Sequence, residues 1–406
     1  MDIPLIISVD DHVVEKPTLW QERLPAPLAS AGPRVVRQKG LMTRLGPGRY
    51  QFAETPDARG ARWCDVWHYE DLRIAMVRGL AAIGPLAGRP GREPVTYDEM
   101  APGAYRQKER LIDMDANHVE ASLCFPTFPR FCGQTFEDRE DRELALLCVR
   151  AYNDWMIDEW CSGDGRGRLV PLTLIPLWDA TLAAAEVRRC AAMGAHAIAF
   201  SECPPYLGLP SIHSGAWDPL WLACEETDTT VNMHIGSSSR MPSTSTDAPI
   251  MVGAALQAQN SANSLVDWLA SGVLVRHPGL RIIFSEGQIG WMPYYLERLD
   301  SVWERSASYD RAMRARLPDR PSSYVRGRVF GCIFDDAFGL RNRDAIGMDQ
   351  IMFETDYPHT DSTFPHSRAV AERLVRVAEL DQAETSALLR GNAIRCYQLQ
   401  RYGIVA

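Results

Sequence analysis

The sequence predicts an α/β fold in which eight parallel strands alternate with helices around a single barrel. Eight short runs rich in Val, Ile, Leu and Phe are separated by stretches with helical periodicity, and such runs are typical of strands buried on both faces. The chain has 406 residues, enough for one large barrel with an insertion. An open, doubly wound sheet is the alternative, but it favours a glycine-rich turn after the first strand, where this chain has Asp10, Asp11 and His12. We therefore predict one domain over residues 1–406.

The first strand and a long insertion open the chain. The strand runs from Leu5 to Val9 and leads into Asp10 and His12, which are two residues apart and so point to the same side of an extended backbone. Residues 20–104 then lose clear periodicity and are rich in Pro and Gly, while their aromatic residues favour an ordered structure. We interpret residues 20–104 as an insertion that covers the barrel mouth like a lid. Its arginines either are solvent-exposed or contact an anionic substrate.

The other seven strands and the helices follow in a regular order. Gly194 marks the end of one helix, as glycine often does. Strands are predicted at residues 121–125, 169–174, 195–200, 229–233, 280–285, 329–334 and 351–353. Helices are predicted at residues 107–119, 138–161, 179–193, 217–227, 250–271, 290–305, 366–379 and 382–402. This order is that of a (β/α)8 TIM barrel, in which functional residues lie at the carboxyl ends of the strands.

The composition is that of an ordinary globular protein and limits the classes of partner. The net charge of −9 argues against nucleic-acid binding, which favours a basic surface. The N-terminus lacks the basic and apolar regions of a signal peptide, and no run of about 18 apolar residues predicts a membrane span. The 10 cysteines are scattered without a CxxC pair, so we predict buried thiols. These features favour a cytoplasmic protein.

Side chains that bind metals follow four of the predicted strands. Because parallel strands of a barrel end at one mouth, these side chains are expected to converge there. Three imidazoles and three carboxylates suit hard or borderline divalent metals, and they exceed the roughly three ligands that one catalytic zinc needs. Two ions bridged by a carboxylate would use the set better, whereas the alternative for each residue is a buried side chain bonded to the backbone. The six candidate ligands are Asp10, His12, His234, Glu286, Asp356 and His359.

Two loops beside these candidates are also of interest. His213 follows the fourth strand on the same side of the predicted barrel, where it is a candidate for substrate contact. Residues 236–240, just after His234, form a small, polar loop that either binds an anion through its N–H groups or is flexible. The chain has no GxSxG, Walker or GxGxxG motif, so these sequence signals do not indicate a serine nucleophile or a nucleotide site.

The strand-end motifs resemble those of the amidohydrolase-related family of metal-dependent TIM barrels, which includes aminocarboxymuconate-semialdehyde decarboxylase and related aryl-acid decarboxylases. The resemblance rests on residues 7–12, 233–236, 276–278, 355–359 and 391–393. Two positions depart from the family pattern. Asp10-x-His12 replaces the commoner His-x-His, and Glu286 stands where the family usually has a catalytic His. A Glu acts as a near-neutral acid or base only if burial raises its pKa.

A narrower resemblance concerns Glu286 together with the sequence Asp-Tyr-Pro-His at residues 356–359 and Leu-Pro-Ser-Ile-His at residues 209–213. These features are similar to TIM-barrel diiron oxygenases, such as the diterpenoid hydroxylase of the platensimycin pathway. That resemblance implies two irons, or iron and manganese, held by the six candidate ligands. It also implies dioxygen, an external reductant and an apolar or acyl substrate, often linked to CoA.

Three hypotheses of function follow from these features. The first is a nonheme dinuclear iron monooxygenase, with Glu286 and His213 as catalytic residues and an apolar wall that includes Phe125, Phe128 and Phe131. The second is a mononuclear zinc or manganese hydrolase or decarboxylase that acts on a small carboxylic acid, with Glu286 as acid or base. The third is a barrel without activity. The family resemblance also implies a homodimer, for which apolar residues at 291–299 are either interface or core.

Overall fold

The computed structural model describes residues 3–46, 49–81, 91, 93–306 and 309–405. Its strands divide between a set of parallel strands and a separate antiparallel sheet. The strands are β1 (Ile6–Val13), β2 (Arg34–Gly46), β3 (Arg49–Glu54), β4 (Arg62–Tyr69), β5 (Leu72–Ala75), β6 (Val119–Pro126), β7 (Leu169–Val170), β8 (Ala197–Phe200), β9 (Thr230–His234), β10 (Ile282–Ser285), β11 (Val329–Ile333) and β12 (Ile351–Phe353).

The helices of the described residues alternate with the parallel strands. The α-helices are α1 (Leu19–Arg23), α2 (Arg78–Ala81), α3 (Gln107–Ala116), α4 (Gln134–Glu137), α5 (Arg142–Trp155), α6 (Ala180–Ala192), α7 (Asp218–Glu226), α8 (Ile250–Ala255), α9 (Gln259–Ser271), α10 (Val273–Arg276), α11 (Met292–Ser306), α12 (Arg311–Arg316), α13 (Ala337–Arg341), α14 (Ser367–Val377), α15 (Gln382–Ser386) and α16 (Asn392–Tyr397). Turns of π-helix span Met156–Trp160 and Ala387–Gly391. Short 3-10 helices span Tyr97–Glu99, Pro102–Ala104, Gly163–Gly165, Pro204–Leu207, Pro321–Tyr324, Arg343–Ala345, Met348–Gln350 and Leu399–Tyr402.

β1 and β6 to β12 are the eight parallel strands of the predicted barrel. β1 pairs with β6 and β6 with β7, while β8 to β12 pair in chain order. A bridge between Thr173 and Ile198 joins these two groups of strands. On the other side, the Asp356 N–H donates to the Asp10 carbonyl at 3.0 Å, which brings the end of β12 to β1. The residues after these strands therefore meet at one mouth.

The barrel strands are apolar because both of their faces are buried, as their sequences predict. Every residue of β1 and of β8 to β12 is buried. On the outside, Trp221 of α7 packs against Phe200 of β8 and Trp268 of α9, with ring centroids 5.1 and 5.0 Å apart. This packing removes large aromatic surfaces from water and holds the helices against the barrel.

Three predicted helices are wrong in their extent. The predicted helix 138–161 begins later, at α5, because the Asp141 side chain caps it by accepting the Leu144 N–H at 2.9 Å. The predicted helix 250–271 is two helices, α8 and α9, separated by residues 256–258. The predicted helix 382–402 is likewise divided, with a π-helical turn between α15 and α16.

The insertion after β1 contains more regular structure than its sequence predicts. β2 to β5 form an antiparallel sheet in the order β3-β2-β4-β5. Trp67 of β4 is fully buried and packs against Phe128, which follows β6, with ring centroids 4.8 Å apart. The Thr360 N–H, next to His359, donates to the Gly79 carbonyl at 3.3 Å. The insertion thus touches two loops after barrel strands, and its role as a lid stays a prediction.

Other predictions concern cysteines, charge and membranes. All ten cysteines are free, and all except Cys203 are buried, as predicted. One arginine of the insertion, Arg37, is already paired with Asp65 and Asp98 at 2.8 and 2.7 Å. In the part of the chain that the structure describes, no helix combines the length and apolarity needed to span a bilayer.

Candidate metal centre

The six predicted ligands lie together at the carboxyl ends of β1, β9, β10 and β12, in three overlapping groups. The central four are Asp10, His12, His234 and Asp356. His12 Nε2 lies 3.2 Å from both His234 Nε2 and Asp356 Oδ1. His234 Nε2 lies 3.3 Å from Asp10 Oδ2. Two imidazoles and two carboxylates are therefore joined by short contacts, and His12 Nε2 lies within 3.7 Å of both carboxylates.

Glu286 and His359 lie at opposite edges of this central group. Glu286 Oε2 is 3.2 Å from His234 Nε2. His359 Nδ1 is 2.8 Å from Asp356 Oδ1, and its ring stacks on that of His12 with centroids 3.9 Å apart. The Glu286 side chain is 9% exposed, whereas Asp10 and Asp356 are fully buried. Glu286 and His359, whose side chain is 10% exposed, are thus the partly exposed members of the group.

The donor atoms of the central group fit a divalent cation. Both carboxylate oxygens of Asp10 and of Asp356 are buried and accept no hydrogen bond from the described residues. Burial, followed by the charges of Glu354, Asp356 and Glu286, raises the pKa of Asp10 well above its usual value. Burial of charge without compensation is costly, and a bound cation would supply that compensation.

The two imidazoles of the central group are in the form that binds metals. Burial lowers the pKa of both His12 and His234 well below its usual value, so the rings are neutral. His234 Nδ1 lies 2.6 Å from the Ile235 carbonyl, to which its N–H donates. That hydrogen bond turns the Nε2 lone pair toward Asp10, as outer partners of metal-binding histidines commonly do.

Asp11 stabilises the mouth without joining the ligand group. Its buried Oδ1 accepts hydrogen bonds from Ser8 Oγ at 2.9 Å, Thr355 Oγ1 at 2.6 Å and the Tyr357 N–H at 3.0 Å. These bonds join β1 to the segment after β12. The two adjacent carboxylates therefore differ in their hydrogen bonds. Asp11 accepts several, whereas neither oxygen of Asp10 accepts one from the described residues.

Two acids of the mouth adopt a strained backbone. Glu286 and Asp356 each have a φ of 58°, in the left-handed region that side chains other than glycine rarely adopt. The Glu286 N–H donates to Oε2 of the fully buried Glu354 at 3.1 Å. Glu354 thus positions Glu286. Glu354 is absent from the ligands predicted from sequence, although an acid at the end of an apolar strand is a signal for such a role.

Aromatic side chains form a wall beside the ligand group. The Phe131 ring stacks on His234 with centroids 4.2 Å apart and an interplanar angle of 14°. Phe125 lies 5.0 Å from His234, centroid to centroid. Phe128, the third predicted wall residue, packs instead against Trp67 of the insertion. A Cβ at Gly236 would come within 2.9 Å of the Phe131 ring, so glycine permits this close approach.

His213 is not brought to the ligand group. Its Nε2 lies 2.7 Å from Asp267 Oδ1, and its side chain is 35% exposed. His213 therefore contacts Asp267 of α9. None of the contacts described for His213 is with the six candidate ligands. Its contact with substrate stays a prediction.

Glu202 is a buried acid at the mouth that the sequence analysis misses. It lies just after β8 and is 3% exposed. Its Oε1 accepts hydrogen bonds from the Gly236 N–H at 3.0 Å, from Ser238 Oγ at 2.8 Å and from Asn260 Nδ2 at 3.2 Å. The sequence did hold a signal, because Phe-Ser-Glu ends at both Glu202 and Glu286. Burial raises the pKa of Glu202 to about 7.

The raised pKa of Glu202 makes stability depend on pH. Between pH 4.5 and about 7 the folded protein keeps a proton on Glu202 that the unfolded chain has released, so the free energy of unfolding falls as pH rises. Glu202→Gln removes this effect while an oxygen still bonds Gly236. From pH 5 to pH 8, we expect the free energy of unfolding of the metal-free variant to rise by about 3 kcal/mol relative to that of metal-free wild type. Denaturant unfolding at both pH values measures it, and an equal difference at the two pH values would contradict it.

Comparison with known proteins identifies similar chains. A model of the family described as Amidohydrolase matches residues 63–399. Gamma-resorcylate decarboxylase of Rhodococcus jostii is 26% identical over 357 residues, which cover 81% of this chain and 99% of that protein. An amidohydrolase structure from Mycobacterium avium subsp. paratuberculosis aligns with a TM-score of 0.68 and 19% identity over 97% of this chain and 99% of its own. A dihydroxybenzoic acid decarboxylase from a Polaromonas species, solved with manganese and 2-nitroresorcinol, aligns with a TM-score of 0.58 and 21% identity over 72% of this chain and 86% of its own.

These relatives show that the predicted dinuclear iron monooxygenase is wrong. The curated proteins that match most of the chain are decarboxylases, and so are several of the similar structures. The oxygenase hypothesis rested on Glu286 and two short motifs, and a carboxylate beside a metal site suits more than one chemistry. The predictions of iron, dioxygen, an external reductant and a CoA-linked substrate lose their basis with it. The predicted alternative, a metal-dependent hydrolase or decarboxylase acting on a small carboxylic acid, fits better.

Proposed function

The chain belongs to the Amidohydrolase family, and from this premise we propose that it is a metal-dependent decarboxylase of hydroxylated aryl carboxylic acids. One observation carries the proposal. Buried carboxylate oxygens without hydrogen bonds and neutral imidazoles converge beside an aromatic wall. Curated relatives that match the chain over 72% or more of its length are gamma-resorcylate decarboxylases, which supports this substrate class.

We assign the cation to Asp10, His12, His234 and Asp356, because His12 Nε2 lies 3.7 and 3.2 Å from the two carboxylates and 3.2 Å from His234 Nε2. The oxygen and nitrogen donors suit manganese or zinc, and manganese is bound in the Polaromonas decarboxylase structure. When bound, the cation supplies positive charge that binds the substrate carboxylate and stabilises negative charge on the ring. His359 Nδ1 lies 2.8 Å from Asp356 Oδ1, beside the assigned ligands.

The wall next to the ligand group supports a planar substrate. Phe131 is stacked parallel to the His234 ring, and Phe125 meets that ring edge-on. An aryl ring that enters beside them is held by stacking and edge contacts, which favour aromatic over aliphatic acids. The insertion, which touches the loops after β6 and β12, would exclude water from this slot when it covers the mouth.

Decarboxylation needs one proton at the ring carbon that loses the carboxylate. The C–C bond breaks, its electron pair stays on that carbon, CO2 leaves, and the carbon takes the proton. We assign the donor role to Glu286, which is a partly exposed acid of the ligand group. Burial and the charges of Asp356, Asp361 and Glu354 raise its pKa well above its usual value, so the carboxyl holds a proton at higher pH. Solvent then restores the proton through the exposed part of the side chain.

Metal removal tests the proposal directly. Protein stripped with a chelator and reloaded separately with Mn²⁺, Zn²⁺ or Fe²⁺ is assayed for CO2 release from a panel of hydroxybenzoates. We expect stripped protein to lose at least about a hundredfold in kcat/KM, Mn²⁺ or Zn²⁺ to restore activity, and removal of oxygen to leave the rate unchanged. Full activity after stripping, or a product that requires oxygen, would contradict the proposal.

A further inference from the structure

Glu202 has one carboxylate oxygen that the fold uses and one that it leaves unused. Oε1 accepts three hydrogen bonds and so holds the loop after His234. Oε2 is buried and accepts no hydrogen bond from the described residues. A buried polar atom without a partner costs about 1–3 kcal/mol, so an oxygen of this kind at the mouth of a barrel is expected to meet a ligand.

A second unpaired polar atom belongs to a residue that neighbours a hydrogen-bond partner of Glu202 and the residue after Glu286. Ser261 Oγ, in the first turn of α9, is buried and has no hydrogen-bond partner among the described residues. Ser261 follows Asn260, whose side chain donates to Glu202. On its other side, a Cβ at Gly287 would come within 2.9 Å of Ser261 Oγ. Ser261 is thus next in the chain to a partner of Glu202 and next in space to Gly287, and Glu202 is close enough for its charge to contribute to raising the pKa of Glu286.

We propose that Glu202 Oε2 and Ser261 Oγ form a specificity subsite that binds a hydroxyl group on the ring of the substrate. The subsite rests on the proposed function, because it takes the substrate to be an aryl acid held beside Glu286. Above the Glu202 pKa of about 7, where the carboxyl is ionised, a hydroxyl group fits both atoms, since its O–H donates to Oε2 and its oxygen accepts from the Ser261 hydroxyl. An apolar substituent would leave both atoms unpaired, and a carboxylate would be repelled by Glu202, so both are disfavoured.

The competing explanation is that Glu202 only stabilises the loop after His234. Two variants of the subsite separate these roles. Glu202→Gln keeps an oxygen for Gly236 and Ser238 but places an NH2 group where Oε2 was, so the acceptor for the hydroxyl is lost. Ser261→Ala removes the other polar atom and leaves the loop contacts intact.

Glu225→Gln is the matched control. Glu225 also holds a loop, because it accepts the Gly279 N–H at 2.7 Å and lies 2.7 Å from His277 Nδ1. That loop precedes β10, so it lies at the end of the barrel away from the ligand group. Loss of this carboxylate reports the effect of weakening a loop without altering the mouth.

The test is calorimetric binding at pH 8 of benzoate and of 2-, 3- and 4-hydroxybenzoate to each protein loaded with Mn²⁺. We expect wild type to bind at least one hydroxybenzoate about tenfold more tightly than benzoate. Glu202→Gln and Ser261→Ala are expected to lower that ratio at least about fivefold while the Kd for benzoate stays unchanged, and Glu225→Gln to keep the ratio. An unchanged ratio in Glu202→Gln, or no preference in wild type, overturns the subsite.

The outcome is distinguishable from failure of the proposed function. A changed ratio in proteins that release no CO2 from any aryl acid would sustain the subsite and refute the decarboxylase. Release of CO2 together with an unchanged ratio would do the reverse. An equal loss of benzoate and hydroxybenzoate binding in Glu202→Gln overturns the subsite, because loop damage alone produces it.

Discussion

Asp10→Asn is expected to lower kcat/KM for decarboxylation by at least about a thousandfold, because the cation loses a charged ligand. The same change should make the metal-free protein more stable by about 1–3 kcal/mol, because Asp10 is fully buried near Glu354, Asp356 and Glu286, whose charges help to raise its pKa, and an amide carries no charge. Metal analysis, steady-state kinetics and denaturant unfolding of stripped protein measure these effects. If Asp10 binds a metal, its replacement therefore lowers activity and raises the stability of the metal-free protein.

Asp11→Asn is the matched control for this experiment. Asp11 is the adjacent residue and is equally buried, but its Oδ1 accepts hydrogen bonds from Ser8, Thr355 and the Tyr357 N–H. Its replacement should destabilise the metal-free protein by about 1–3 kcal/mol, because the amide nitrogen cannot accept the hydrogen bond that Ser122 Oγ donates to Oδ2. If Asp10→Asn also destabilises the stripped protein, the central group is an ordinary hydrogen-bonded cluster and the assignment of a cation site fails.

Glu286→Gln should lower kcat by about a hundredfold or more while the protein keeps its metal, because the amide has no proton to give to the ring carbon. Metal content and the thermal shift on adding Mn²⁺ should match those of wild type. Glu354→Gln is the control, because it retains an oxygen that accepts the Glu286 N–H and should change kcat only slightly. Glu354→Ala removes that acceptor and is expected to lower kcat more.

The Glu286 experiment also separates two roles that the sequence assigns to this residue. The sequence predicts Glu286 as both a metal ligand and a catalytic group. Glu286 Oε2 is 3.2 Å from His234 but belongs to the partly exposed edge of the group. Loss of metal in Glu286→Gln would make it a ligand, and wild-type kcat in that variant would remove it from proton transfer.

The convergence of the six candidate ligands could be predicted from sequence because parallel strands of a barrel all end at one mouth. Asp10, His234 and Asp356 each follow an apolar run, and that position alone brings them together. The antiparallel sheet of the insertion could not be predicted in this way. Its strands mix charged and apolar residues without strict alternation. In β4, for example, one end is exposed and most of the length is buried, so burial does not alternate along the strand.

The residues at the strand ends could not predict which reaction the protein catalyses. The same carboxylates and imidazoles suit oxygen activation, hydrolysis and decarboxylation, so the ligand set restricts the metal more than the chemistry. Glu202 shows a different limit. It follows β8 as Glu286 follows β10, yet its contact with the loop after His234 depends on how α9 packs, which periodicity does not report.

The central claim is most directly tested by decarboxylation in D2O without oxygen. The protein loaded with Mn²⁺ is mixed with a hydroxybenzoate substrate, and the product is analysed by NMR while CO2 is measured. The proposed function predicts one CO2 for each product molecule and one deuteron at the ring carbon that carried the carboxylate. No CO2 release without oxygen, or a product that has gained an oxygen atom when oxygen is admitted, would contradict it.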